Sequence, residues 1–302
     1  AIVAGAGALW FFLICKERVM QSVESPSVKA SIKSIINNKP ILLMTLSQIL
    51  GSFAVGGSKQ DYYIDVLNFA SLGLITGIPG AIINPFSYMA VPWFRRHFSS
   101  RFLYIIGNKI DGILLVPVFL VGCIGGKKHG LYKNIWVMGI AMMLWETIFM
   151  IFYGVRRIIP TEMYNEAMDY CEWKNGYRTE GMTSVAQGLA SKLASIFSRY
   201  ISNYIKQLIG YDLTRYVRGT AQTDETKFGL FAMFTIVPFL TGMISIIPML
   251  FYDLSGKKKE KMYEELLERR AAMSKEATSG DLEALERLAK AQMEIGNMKQ
   301  EL

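Results

Sequence analysis

Cysteine and histidine are almost missing from this 302-residue chain, and charge is thin. Three cysteines (Cys15, Cys123, Cys171) stand far apart with no Cys-x-x-Cys. Neither a disulfide framework nor a zinc site follows, and three reduced thiols are the plain reading. Two histidines, His97 in RRHFSSR and His129 in KKHG, come with no HExxH, GxSxG or phosphate-cradling glycine loop, so enzyme chemistry has no carrier. Charged residues are only 19% of the chain, which argues against a disordered protein. No basic, aromatic-laced soluble face is visible, so the net charge of +8 does not point to nucleic acid.

What is present is apolar: 51% of residues are hydrophobic, and the charges are segregated. Residues 255–302 hold ten Lys/Arg and ten Asp/Glu, which leaves the whole net charge of +8 on the first 254 residues. Apolar blocks followed by a balanced charged tail exclude a single soluble globular domain. A bilayer core of roughly 30 Å needs about 20 apolar residues per helix. Six segments reach that length, at 40–63, 69–93, 102–124, 132–155, 182–209 and 228–252. Residues 1–15 offer fifteen more, about 22 Å at 1.5 Å per residue. No basic stretch precedes them and Lys16 and Arg18 follow, the reverse of a secretion signal. The expectation is the end of a truncated spanning helix (1–15), a linker (16–39), a six-helix transmembrane bundle (40–254) and a charged helical tail (255–302).

Loop charges predict the orientation. Lys16, Arg18, Lys29, Lys33 and Lys39, then Arg95, Arg96 and Arg101, then Arg156, Arg157, Lys174 and Arg178 put twelve cations in alternate loops. The intervening loops carry six: Lys127, Lys128, Lys133, Arg215, Arg218 and Lys227. The excess marks the first side, with the linker and the C-terminus, as cytoplasmic.

Within the spans, ionisable groups each cost at least roughly 2.5 kcal/mol at mid-bilayer unless paired or wet. Lys59, Asp61, Lys109, Asp111 and Glu146 are such groups. A Lys and an Asp two residues apart point to different faces, so each needs its own partner. The 69–93 segment carries Pro79, Pro85 and Pro92 with Gly73, Gly77 and Gly80, which reads either as an interrupted transporter-type helix or as a kinked structural one. In 182–209, Ser184, Gly188, Lys192, Ser195, Arg199, Asn203 and Lys206 recur every three or four residues and share one face. An amphipathic helix on the membrane surface fits that pattern. A buried stripe lining an aqueous pathway fits it better, because Ala186, Gly188, Ala190, Ser191, Ala194 and Ser195 suit close helix packing.

Residues 160–181, PTEMYNEAMDYCEWKNGYRTEG, alternate charge around a Lys-Asn-Gly turn. Solvated loop charges are the ordinary explanation, but the order D-Y-x-E-W-K-x-G-x-R-x-E-G is long and specific. It resembles the loop of the glycoside–pentoside–hexuronide:cation symporters, the melibiose permease-like group of the major facilitator clan. The NNKP entry at Asn37–Pro40 resembles the start of that family's seventh helix, and Lys192 stands where the family has a lysine, preceded by Gln187.

The resemblance implies an all-α polytopic membrane bundle, the C-terminal six-helix half of a major facilitator fold. It implies sugar or glycoside uptake coupled to Na⁺ or H⁺ by alternating access, with no other cofactor. Its partners are the lipid bilayer of the cell membrane and a missing N-terminal six-helix half that supplies the main acidic cation and sugar ligands. By the same resemblance Asp169, Glu172, Lys174 and Arg178 form cytoplasmic gate ion pairs. The substrate and cation pathway is expected at Lys192 and Gln187, with Arg199 and Glu146 added from their places in the spans. The same fold carrying a lysolipid or another amphipathic cargo is the alternative. The tail is expected to form two helices, 257–270 and 281–299, with apolar stripes at Met262 and Leu266 and at Leu282, Leu285, Leu288 and Ala289.

Overall fold

The computed structural model describes residues 33, 35–212, 214, 221–279 and 287. The expected stub at 1–15, most of the linker and the apolar stripe at 282–289 lie outside the described residues. Every regular element among those described is helical. The helices fall into two units, one of residues 38–167 and 181–253, the other drawn from 1–37, 168–180 and 254–302.

The larger unit begins with α1 (Lys39–Ser52), which starts where NNKP predicts. Asn38 caps it by accepting from the Ile41 amide and donating to the Ala167 carbonyl at 2.7 Å, while Pro40 stands in the first turn, where a missing N–H costs nothing. The expected 40–63 span is not one helix. It breaks over residues 53–58 and resumes as a short turn, Lys59–Asp61, running into a π-helical turn, Tyr62–Val66. A freed backbone cannot be left bare in a bilayer. Its partners are all present: Ala54 O accepts from Ser198, Val55 N donates to Thr241 Oγ1, Gly56 N donates to Ser202 Oγ, and Gly57 N donates to Met233 O at 2.7 Å. A β-carbon on Gly56 would lie 2.6 Å from the Pro238 ring, so the break is also a close helix approach.

Then follow α2 (Leu72–His97), α3 (Ser100–Cys123), α4 (Ile135–Ile151) and α5 (Tyr153–Asn175). The last two are α6 (Glu180–Leu208) and α7 (Asp224–Gly242), the latter extended by a 3₁₀ turn and Ile246–Leu250. Four of these helices, Leu72–His97, Ser100–Cys123, Ile135–Asn175 and Asp224–Leu250, are long and apolar enough to cross a membrane. The chain is thus a multi-pass helical membrane protein. Despite three prolines, α2 stays continuous, which matches the second of the two readings, a structural helix; an interruption is found between α1 and α2. It packs along α4, and Gly80 and Gly154 let backbones approach: a β-carbon on Gly154 would lie 2.6 Å from the Ser87 carbonyl.

The core of this unit gathers at one end of the bundle. Tyr62, Tyr63, Leu115, Tyr132, Met138, Leu230 and Phe231 belong to one buried cluster. Tyr62 satisfies its hydroxyl on the Tyr132 carbonyl at 2.6 Å, and Phe231 stacks on both Tyr132 and Phe119.

The smaller unit holds the final residues of α5, the segment to Glu180, and the tail helix α8 (Lys257–Ser279). Much of the expected signature loop is therefore helix: α5 runs through Pro160 to Asn175, the proline giving up one i→i−4 hydrogen bond without ending the helix. Gly176, at φ 80°, ends it by donating to the Glu172 carbonyl at 2.8 Å, a left-handed position that glycine tolerates without cost. Met262 and Leu266 of α8 are fully buried, as their stripe predicts. The first tail helix continues to Ser279 instead of ending at 270.

Candidate functional site

At the end of the larger unit away from the aromatic cluster lies a cavity of about 680 Å³. The amino-terminal parts of α1, α3 and α6 and the α4–α5 junction wall it. Gln48, Tyr104, Asn108, Arg156, Arg157 and Gln187 are among its lining residues, which include no carboxylate. The two arginines differ. Arg156 donates to Asp111 at 3.1 Å and lies over the Phe149 ring. Arg157 stacks on Tyr153 and donates its Nε to that hydroxyl at 3.1 Å, with no carboxylate partner among the described residues. Gln187 is held by its amide, which donates to Thr45 Oγ1 at 2.6 Å and leaves its carbonyl oxygen available. Hydroxyls, amides and aromatic faces thus surround the Arg157 guanidinium, so the wall offers hydrogen-bond donors, acceptors and positive charge together.

The ionisable groups inside the spans are each satisfied by a different helix, as the two-residue spacing predicts. Lys59 pairs with Glu146 at 3.0 Å, and Glu146 also lies within 3.4 Å of the Thr76 hydroxyl. Asp61 pairs with Lys206. Asp111 takes Arg156, and Lys109 donates to the Gly242 carbonyl at 2.6 Å, where α7 tightens into its 3₁₀ turn. Glu146 is therefore clamped by Lys59 and Thr76 and is absent from the cavity wall.

On α6 burial divides the residues differently from the expected buried stripe. The buried seam consists of Thr183, Ala194 and Ser202, flanked by half-buried Gln187, Ala190, Ser191 and Ser198. Lys192 and Arg199 lie on the opposite, exposed side and have no hydrogen-bond or ion-pair partner among the described residues. The close contact to the broken stretch after α1 runs through Ser198 and Ser202, outside the expected small-residue set; of that set Ala194 is buried, Ala190, Ser191 and Ser195 are half-buried, and Ala186 and Gly188 are exposed. Of the polar stripe, Lys206 reaches Asp61 and Ser195 is half-buried, while Ser184, Gly188, Lys192, Arg199 and Asn203 are exposed, because the stripe is centred roughly a third of a turn from the seam. Val185, Leu189 and Ile196 are exposed beside it.

In the smaller unit the signature residues form one electrostatic cluster. Arg178 donates to Asp169 at 3.1 Å, lies 3.8 Å from Glu172 and pairs with Glu180. Lys174 donates to the Asn37 carbonyl at 3.1 Å and makes no ion pair among the described residues. The strongest partner was not legible in the signature itself. Arg270 of the tail reaches Glu172 at 2.5 Å and Asp169 at 2.8 Å, and Tyr263 approaches Asp169. The Glu172 carboxylate first, and Asp169 after it, hold the Arg270 guanidinium above its ordinary value. Trp173 donates to Glu265, and Arg269 donates to the Trp173 carbonyl. The one sequence sign of this contact was the Met262–Leu266 stripe, which shows that α8 buries a face without saying against what.

Residues 1–256 match the family model described as MFS/sugar transport protein. Among similar proteins, the glucuronide carrier protein homolog of Escherichia coli K12 is 23% identical over 275 residues, covering 88% of this chain and 56% of that protein. The putative sulfoquinovose importer of the same strain is 25% identical over 293 residues, 89% of this chain and 56% of its own length. The isoprimeverose transporter of Lactiplantibacillus pentosus is 24% identical, over 89% of this chain and 54% of its own. The chain spans a little over half the length of these relatives.

Proposed function

This chain belongs to the MFS/sugar transport protein family, and we propose that it is the C-terminal half of a secondary transporter that takes up a sugar or glycoside with Na⁺ or H⁺. The carrying observation is the cavity beside the α4–α5 junction, polar, aromatic and free of carboxylates among its lining residues. Arg157, stacked and charged but without a counter-ion among the described residues, favours a cargo that carries its own acid group. Two of the relatives are named for a glucuronide and for sulfoquinovose, both acid-bearing sugars.

The rest of the reading follows from charge. Lys192 and Arg199, exposed and without partners among the described residues, face carboxylates of an N-terminal six-helix half. Lys192 then competes with the coupling cation for those carboxylates, so loading the cation permits sugar binding and links the two fluxes. Glu146 remains a pathway candidate through its Lys59 pair. The cluster of Asp169, Glu172 and Arg178 acts as the cytoplasmic gate. The protein resides in the cell membrane with its C-terminus in the cytoplasm, on the side where loop cations are in excess.

Uptake by the full-length protein in vesicles tests this. Arg157→Gln should raise KM for an acid-bearing glycoside about 10- to 100-fold, the worth of a charge-assisted contact, and leave a neutral glycoside within about twofold. Equal effects on both cargoes would refute the acid reading. Lys192→Gln should abolish cation-driven uptake; unchanged cation dependence removes Lys192 from the mechanism. Lysolipid uptake in place of either glycoside would overturn the sugar assignment itself.

A further inference from the structure

The turn between α2 and α3 carries charge and apolar surface that lie outside the cavity lining. Both helices are long and apolar enough to cross a membrane, so the residues joining them lie at a membrane surface. The link is tight: Phe98 is extended, and Ser99 caps α3 by accepting from the Phe102 amide. Aromatic rings crowd this point and face outward. Trp93, Phe98 and Phe102 are 55%, 41% and 47% exposed. Trp93 stacks against His97 at 4.6 Å, and Phe98 against Phe102 at 5.3 Å. A tryptophan such as Trp93 at the end of a spanning helix is placed at the headgroup boundary, with the phenylalanine rings beside it.

The charges beside them are not balanced. Arg95 has a carboxylate, Glu162. Arg96 has no partner among the described residues, and there is no Asp or Glu anywhere from 93 to 102. Arg101 is held in place, since its Nη1 donates to the Leu250 carbonyl at 3.0 Å. A carbonyl orients a guanidinium without neutralising it, and the remaining N–H groups keep their fork. Next to this fixed cation are the exposed Phe102 ring and Leu250 itself, 53% exposed. A positioned, unneutralised arginine beside outward aromatic surface needs a ligand with a phosphate at one end and hydrocarbon at the other.

We propose that the α2–α3 turn is a binding site for an anionic glycerophospholipid. Its headgroup phosphate sits on Arg101, Arg96 adds to the field, and an acyl chain lies over Trp93, Phe98 and Phe102. Charge complementarity selects the anionic lipid over a zwitterionic one, whose own ammonium would meet the same arginines. The proposal does not depend on the transported cargo, and uptake is not its readout.

The test uses the full-length protein in vesicles of phosphatidylcholine doped with phosphatidylglycerol, one or the other bearing brominated acyl chains. Trp93 quenching is read as the difference between wild type and Trp93→Phe. Half-quenching by brominated phosphatidylglycerol is expected at about a fivefold lower mole fraction than by brominated phosphatidylcholine, the order expected for one arginine near the surface. In Arg96→Gln/Arg101→Gln the two lipids should agree within about twofold. Equal quenching in wild type, or a preference that survives in the double variant, would overturn the site. Native mass spectrometry gives a second reading if the double variant does not fold: Arg101→Lys keeps the charge but loses the fork. It should retain less phosphatidylglycerol than wild type through detergent exchange, and unchanged retention also sinks the proposal.

Discussion

Neutralising Glu146 probes the pair that lets a carboxylate stand inside a spanning helix. Lys59 Nζ and the Glu146 carboxylate are 3.0 Å apart, with side chains 30% and 14% exposed. At that distance and an effective dielectric of about 20, their attraction is roughly 5 to 6 kcal/mol before desolvation is subtracted. Breaking a fully buried pair costs about 3–5 kcal/mol, because the survivor is left charged and unpaired. Lys59 is partly wet and lies 5.7 Å from the Tyr63 and Trp145 ring centroids, so it keeps some stabilisation. The expected loss for Glu146→Gln is therefore nearer to about 2 kcal/mol. With about 2–4 °C per kcal/mol in a protein of this size, the thermal midpoint in detergent should fall by about 4–8 °C. Removing both charges, in Lys59→Met/Glu146→Gln, should recover at least half of that fall, since no charge is then stranded. Strictly additive losses across the cycle would refute the pairing argument. Vesicle uptake with the double variant carries a separate reading: recovered fold with lost cation dependence keeps Glu146 in the pathway, and recovered uptake removes it.

Other substitutions follow from single contacts. Gly154→Ala would place a methyl 2.6 Å from the Ser87 carbonyl, where only backbone can yield, so it should cost about 1–3 kcal/mol and show as a lower thermal midpoint. Lys109→Met removes the ammonium donor from the Gly242 carbonyl but leaves it the Ser245 hydroxyl at 2.8 Å, so a loss of only about 0.5–1.5 kcal/mol is expected in the same assay. Arg270→Gln removes the contacts to Glu172 and Asp169, so hydrogen exchange across the middle turns of α8, around Arg270, should accelerate at least about tenfold; unchanged protection would mean that Met262 and Leu266 alone hold the helix.

The signature segment shows where sequence reading stops. Its charges were legible, and Arg178 does meet Asp169 and Glu172. Arg270 lies about 100 positions away and belongs to no motif, so only folding could bring it to the same carboxylates. The α1 break was hidden for a related reason. An apolar run reads as one span whether or not its middle is helical, and the donors that satisfy the break sit on α6 and α7.

By itself the sequence determined the class: helical, multi-pass, of the sugar transport family, with a capped first helix and intramembrane charges that could not pair within their own turn. Those are properties of length, apolar content and local spacing, which the chain carries wherever it is placed. Tertiary structure decided the partners: Lys59 with Glu146, Asp61 with Lys206, Asp111 with Arg156. It also decided that Lys192 points away from the buried seam while Arg157 enters a cavity. A helix's periodicity fixes which residues share a face, but only the neighbours packed against it determine which face is covered.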